Sequence, residues 1–128
     1  MSQALAAWLT APHHRRAWHI VLAVLLLVIS YLALSSAPPP KLDSGWDKLN
    51  HLLAFAALGF CGFMGAGAAR TRWVWGPLGL LGYGVLIELL QSQLPPRSAD
   101  WRDVLADALG LAVGLALAAS AQALARRR

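Results

Sequence analysis

The chain has one cysteine, Cys61, which excludes an internal disulfide and any zinc site built on paired thiolates. It is also poor in charge. Only 13% of its 128 residues are Asp, Glu, Lys or Arg, about half the share a water-soluble domain carries. It has no glycine-rich phosphate loop, and no serine or cysteine nucleophile stands at catalytic spacing from a base. What fills the space instead is apolar: hydrophobic residues make up 58% of the sequence, with six Trp against three Phe. A soluble globule is excluded by this balance, and a membrane protein is expected.

A bilayer core about 30 Å thick takes roughly 20 apolar residues of helix. Four stretches reach that length, at about 17–36, 49–69, 74–94 and 104–125. Pro38-Pro39-Pro40, Arg70-Thr71-Arg72 and Pro95-Pro96 separate them, and proline and clustered charge both break apolar helices. The expected organisation is all-α: a cytoplasmic segment 1–16, a four-helix transmembrane domain 17–126 and a basic tail 126–128. The first run is too long, and too quickly followed by prolines, to read as a cleaved signal peptide.

Orientation follows from the basic residues of the short connections. Arg15, Arg16, Arg70, Arg72, Arg126, Arg127 and Arg128 fall on one side, and Lys41, Lys48, Arg97 and Arg102 on the other. Seven against four places both termini in the cytoplasm. The six acids (Asp43, Asp47, Glu88, Asp100, Asp103 and Asp107) all fall at or near the opposite, outer face. The net charge of +5 is therefore a consequence of topology, and no nucleic-acid partner is implied. Trp18, Trp73 and Trp75 at the inner boundary, with Trp46 and Trp101 at the outer one, read as an aromatic belt. Trp8 belongs to an N-terminal stretch lying along the inner surface.

Helices in lipid gain little by exchanging lipid for apolar side chains, so close backbone approach has to contribute. Ala106, Gly110, Gly114 and Ala118 recur every fourth position; Gly59, Gly62 and Gly65 stripe the second segment, and Gly76, Gly79 and Gly82 the third. These Gly/Ala faces serve the bundle in the favoured reading and an oligomer in the rival one. Cys61 reads as a small buried residue.

The chemistry is expected at the outer end of three helices. Asp47 and His51 are four apart and share a helical face, as do Glu88 and Gln91, three apart. Asp103 and Asp107 share one at the start of the last segment, preceded by Arg97 and Asp100. At about 1.5 Å per residue, Glu88 lies roughly 10 Å inside Pro95 and Asp107 about 6 Å inside Asp103. Ionisable groups at such depth are costly, so they are expected to face the bundle interior and to pair. Asp100 and Asp103 are also suited to capping the last helix, and Lys48 to snorkelling towards head groups. A structural zinc site wants more nitrogen or sulfur than this set offers. Oxygen-rich binding of calcium, magnesium or manganese by Asp47, Glu88 and Asp103 is open, but no metal or other cofactor is assigned.

These residues resemble the VanZ-like family of small bacterial membrane proteins. Asp47-Lys48-x-x-His51 opens one helix, Glu88-x-x-Gln91 closes the next, and Arg97 is followed by Asp103-Val104-Leu105-Ala106-x-x-x-Gly110. The likeness runs from about Asp47 to Gly114. It departs at Asp107, where the family usually carries asparagine. The resemblance implies a multi-pass protein of the bacterial cytoplasmic membrane and a link to glycopeptide (teicoplanin) resistance, which concerns peptidoglycan precursors on the outer face.

Three functions stay open. The favoured one is recognition of an envelope lipid head group, such as a polyprenyl-phosphate or glycolipid, on the periplasmic or extracellular side. Asp47, Lys48, His51, Glu88, Gln91, Arg97, Asp103 and Asp107 would line that site, with Lys48 and Arg97 on phosphate. The second is a membrane-embedded hydrolase or transferase with His51, Glu88 and Asp103 as candidate catalytic groups. The third is an assembly or scaffolding protein whose cluster only locks the bundle. The inner halves of the helices carry no ionisable group away from their ends, which argues against an ion path.

Overall fold

Four apolar segments joined by short breaker-rich connections can satisfy their backbone in lipid only as helices, and the computed structural model is helical in this way. It describes residues 1–35, 47–95 and 99–127, and no strand occurs among them. Helix α1 (Gln3–Leu9) is followed by a single 3-10 turn, Pro12–His14, which runs into α2 (Arg15–Leu34). Then come α3 (Asp47–Gly65), a π-helical turn Thr71–Trp75 continuing into α4 (Gly76–Gln91), and α5 (Trp101–Ala125). Four continuous helices are long and apolar enough to cross a membrane: Pro12–Leu34, Asp47–Gly65, Thr71–Gln91 and Trp101–Ala125.

The helix ends differ from the hydropathy boundaries for local reasons. Both α3 and α5 begin earlier than expected, because their polar first turns are helical without being apolar. Asp100 caps α5, its carboxylate accepting from the backbone N–H of Arg102 at 2.9 Å. At its other end α3 stops at Gly65, where Arg72 folds back. The Nε and Nη2 of Arg72 donate to the Ala66 carbonyl at 3.0 and 2.9 Å, and its guanidinium lies over the Phe63 ring. A cation on the last carbonyls of a helix satisfies orphan acceptors and suits the dipole.

The centre of the fold is the pair α3 and α5, which pack more extensively than any other two elements. Their backbones touch. A Cβ on Gly59 would meet the Leu111 carbonyl oxygen at 3.1 Å; one on Gly110 would run into the Leu52 carbonyl, and one on Gly114 into the Ala56 carbonyl. Ala106, Gly110, Gly114 and Ala118 are all buried, so the four-residue stripe of α5 is spent inside the bundle. The α4 stripe is not. Gly79 and Gly82 have no neighbour within 4 Å of where a Cβ would stand, so this face points out of the bundle. Cys61 is buried.

Two further helices lie against this pair. On one side α4 is tied to α2 by Tyr83, whose hydroxyl bonds Ser30 at 2.8 Å and the Leu26 carbonyl at 3.3 Å. None of α2's own residues is buried, so it is the outermost helix. Trp18 departs from the lipid-anchor expectation: its indole N–H donates to the Leu9 carbonyl at 3.0 Å, and its ring meets Phe60 edge-on. It fastens α1 beneath the bundle, where α1 packs on α5. Trp8, Trp73, Trp75 and Trp101 are exposed, as belt residues should be, while Trp46 lies outside the described residues.

Candidate functional site

The starts of α3 and α5 and the end of α4 meet at one end of the bundle, and most of the acids gather there. The spacing of four in Asp47-x-x-x-His51 turns both side chains towards α5. Asp103 and Asp107, again four apart, present the facing edge of α5. Asp103 is 3% exposed and Asp107 fully buried. From α4 comes Glu88, 5% exposed. Carboxylates this deep persist only with partners or ligands, and the partners converge on one ring.

That ring is His51. Its Nδ1 lies 2.8 Å from Oδ1 of Asp107. An ionised carboxylate can only accept, so the proton of this bond belongs to Nδ1, and in the neutral ring the Nε2 lone pair faces the site. Nε2 is 3.7 Å from Oε1 of Glu88 and 3.7 Å from Oδ2 of Asp103, too long for hydrogen bonds. Oε1 of Glu88 and Oδ2 of Asp107 have no hydrogen-bond partner among the described residues. One ligand atom each from Asp47, His51 and Asp103 also falls within 4.8 Å of the others.

Among the described residues the positive charge of the cluster is committed. Lys48 Nζ stands 3.1 Å from both Asp100 Oδ2 and Asp103 Oδ1, a clamp between α3 and the head of α5 where the sequence had left snorkelling and phosphate contact as alternatives. The backbone N–H of Arg102 and then Lys48 hold the Asp100 carboxyl below the usual carboxylate range. Arg102 itself lies over the Trp101 ring. Gln91 shares α4's buried side with Glu88, but its amide donates to the Ala33 carbonyl at 2.9 Å and ties α4 to the end of α2. Arg97 lies outside the described residues.

Two contributors were not singled out by spacing. Gly84 makes room for Asp107: a Cβ there would fall on Oδ2 and crowd the Phe55 ring. Standing one turn before Glu88 on the same face of α4, it carried a readable signal. The other is the backbone N–H of Asp100, which donates to Oε2 of Glu88 at 3.0 Å. No side-chain pattern announces a main-chain donor on a different segment.

Fold and site together define a class: a multi-pass helical membrane protein with a buried histidine–carboxylate cluster at one end of its bundle. The VanZ/LLP1 family model matches residues 7–122, nearly the whole chain, and the protein belongs to that family. No curated protein and no solved structure shows significant similarity to it.

Proposed function

We propose that this VanZ-family membrane protein recognises the head group of a cell-envelope lipid at the cluster end of its bundle, on the outer face of the bacterial cytoplasmic membrane. The observation that carries the reading is the excess of unspent acceptors: Oε1 of Glu88 is buried without a hydrogen-bond partner among the described residues, 3.7 Å from His51 Nε2. A buried acceptor left unmade costs about 1–3 kcal/mol, so a ligand that brings donors is favoured. Sugar hydroxyls or an amine do this, which points to a glycolipid or amine-bearing head group. Lys48 is held by two acids and supports phosphate recognition less well than its sequence position suggests. Arg97 keeps the role of the phosphate contact.

The test is native mass spectrometry of protein gently extracted from its own membranes, comparing wild type with Glu88→Gln and Arg97→Ala. A co-purifying lipid mass that both variants lose is the expected result. Bare wild-type protein, unchanged in thermal stability by envelope lipids added back, would refute the reading.

One observation favours a second reading. His51, oriented by Asp107 at 2.8 Å with a carboxyl group opposite its other nitrogen, has the arrangement of a general base and its orienter. A membrane-embedded hydrolase or transferase would use it so. His51→Ala would then hold the lipid unprocessed, whereas a pure binder would show no product with either protein.

A further inference from the structure

We propose that the cluster holds one divalent metal ion of the first transition row, coordinated by His51 Nε2 and the carboxylates of Asp103 and Asp47. The inference rests on reading the cluster as a functional site, and is independent of which lipid it meets.

The argument starts from the ring. A histidine that ligates a metal nearly always donates its other N–H to a carboxylate or carbonyl, which fixes the tautomer and aims the lone pair. Asp107 does this for His51, from a fully buried position at 2.8 Å. The lone pair so aimed meets two carboxylate oxygens, Oε1 of Glu88 and Oδ2 of Asp103, each 3.7 Å away. In the neutral ring this lone pair and the two oxygens repel unless a cation lies among them. Bonds of about 2.1 Å in a tetrahedral shell hold ligand atoms about 3.4 Å apart, so a movement of a few tenths of an ångström brings His51 Nε2 and Asp103 Oδ2, now 3.7 Å apart, to bonding distance of one ion.

The atoms named are the unspent ones. Asp103 gives Oδ1 to Lys48 and keeps Oδ2 for the ring. Glu88 gives Oε2 to the Asp100 backbone, and its buried Oε1, without a hydrogen-bond partner among the described residues, stays beside the ion for a donor of the head group. Asp47 is exposed, and its carboxylate already falls within 4.8 Å of ligand atoms of His51 and Asp103, so a side-chain rotation closes the shell.

Charge points the same way. Among the described residues five carboxylates (Asp47, Glu88, Asp100, Asp103, Asp107) stand against Lys48, Arg102 and one imidazole, and a dication offsets the excess. One nitrogen with two carboxylates matches neither the all-oxygen preference of calcium nor the nitrogen- or sulfur-rich preference of structural zinc. Mn²⁺ accepts both donor types. An ion here leaves coordination positions for an oxygen of the head group, which gives an acid-lined site a means of holding phosphate.

The experiment uses the full chain in mild detergent, stripped with chelator and titrated with Mn²⁺, Zn²⁺, Mg²⁺ and Ca²⁺ by calorimetry, with electron paramagnetic resonance of the Mn²⁺ form. One equivalent of Mn²⁺ is expected, with nitrogen coupling in its pulsed spectrum. Asp103→Asn and Asp47→Asn should each weaken binding by about tenfold or more, and His51→Gln should remove the nitrogen coupling. Asp47 is exposed, so its variant tests the ligand set without threatening the fold. Absence of saturable binding of all four ions to wild type at millimolar concentration would overturn the proposal. So would unchanged affinity in both aspartate variants, or an Mn²⁺ spectrum without nitrogen coupling. Lipid retention is read on the same samples. Retained lipid without metal overturns only the ion, and bound metal without lipid overturns only the head-group reading.

Discussion

The α3–α5 contact predicts a graded response to adding one methyl group. Glycine to alanine in a helix gains about 1 kcal/mol of intrinsic propensity, so any loss must come from what the new Cβ meets. At Gly79 and Gly82 it meets nothing within 4 Å, and the substitution should stabilise by up to that amount. At Gly59 it meets the Leu111 carbonyl oxygen at 3.1 Å. The neighbour must give by a few tenths of an ångström, the two effects nearly cancel, and the variant should be close to neutral. At Gly110 and Gly114 it overlaps the carbonyls of Leu52 and Ala56, with Ala56 N and Phe60 N close behind. These are backbone atoms that cannot rotate away, so the helices must part by about an ångström. Overpacking of that kind costs about 1–3 kcal/mol, and separation also sacrifices the buried contacts along α5. The expected order of stability is Gly82→Ala and Gly79→Ala above wild type, Gly59→Ala near it, and Gly110→Ala and Gly114→Ala below. Reversible unfolding in mixed micelles with increasing anionic detergent, followed by helicity, measures it. A Gly79→Ala protein as unstable as Gly114→Ala, or a Gly110→Ala protein more stable than wild type, would refute the packing argument.

Other expectations concern the site and the topology. Asp107→Asn keeps an oxygen for the His51 N–H, so the protein should fold with unchanged helicity while Mn²⁺ affinity falls about tenfold. Asp107→Ala leaves that buried donor unmade and should cost about 1–3 kcal/mol in the micelle assay. The Asp100 carboxyl is held low by the Arg102 N–H and Lys48, so its contribution to stability is complete above the ordinary carboxylate value of 3.8 and is lost as pH falls through its lower folded value. The unfolding midpoints of wild type and Asp100→Asn should therefore converge as pH is taken below that range, and a constant gap would refute the assignment. Cys61 is buried, so the native protein should resist a membrane-impermeant maleimide. Cysteines placed at the exposed Gln93 and Arg127 should then label from opposite sides of the membrane, Gln93 from outside. Labelling of Arg127→Cys in intact cells would reverse the expected orientation.

The spans were legible because lipid imposes a length and a composition that four segments meet. Their ends were less so. Hydropathy cannot see that Asp47 and Lys48 are helical before the chain turns apolar, or that Arg72 closes α3 by bonding the Ala66 carbonyl from beyond it. At the cluster, spacing put Asp47, His51, Glu88, Asp103 and Asp107 on faces that the structure brings to one end of the bundle, since periods of three and four determine faces and depth forces those faces inward. It could not assign Lys48 to Asp100, 52 residues away, or turn Gln91 from the cluster towards Ala33. Those depend on how α2, α4 and α5 sit against one another, and helix faces do not encode it. Trp18 shows the same limit: composition marks a belt residue, while only the return of α1 beneath the bundle supplies the Leu9 carbonyl its indole binds.

The distribution of charge separates what topology explains from what it leaves over. Orientation is governed by Lys and Arg, and Asp and Glu contribute little to it, so the arginines at one end need no other cause. The acids at the opposite end do. A capping requirement accounts for Asp100, whose carboxylate holds the Arg102 N–H, and a clamp accounts for one oxygen of Asp103. Neither reaches Glu88 or Asp107, which are buried in the bundle where an apolar residue would pack at lower cost. Asp107 even displaces a side chain, since only glycine fits opposite it at position 84. A purely structural role predicts a closed network in which every buried oxygen is bonded. Here Glu88 and Asp107 each keep one buried oxygen unpartnered among the described residues, and the Glu88 oxygen faces the same imidazole nitrogen as Asp103. That pattern fits a site that a ligand completes better than a lock that is already closed.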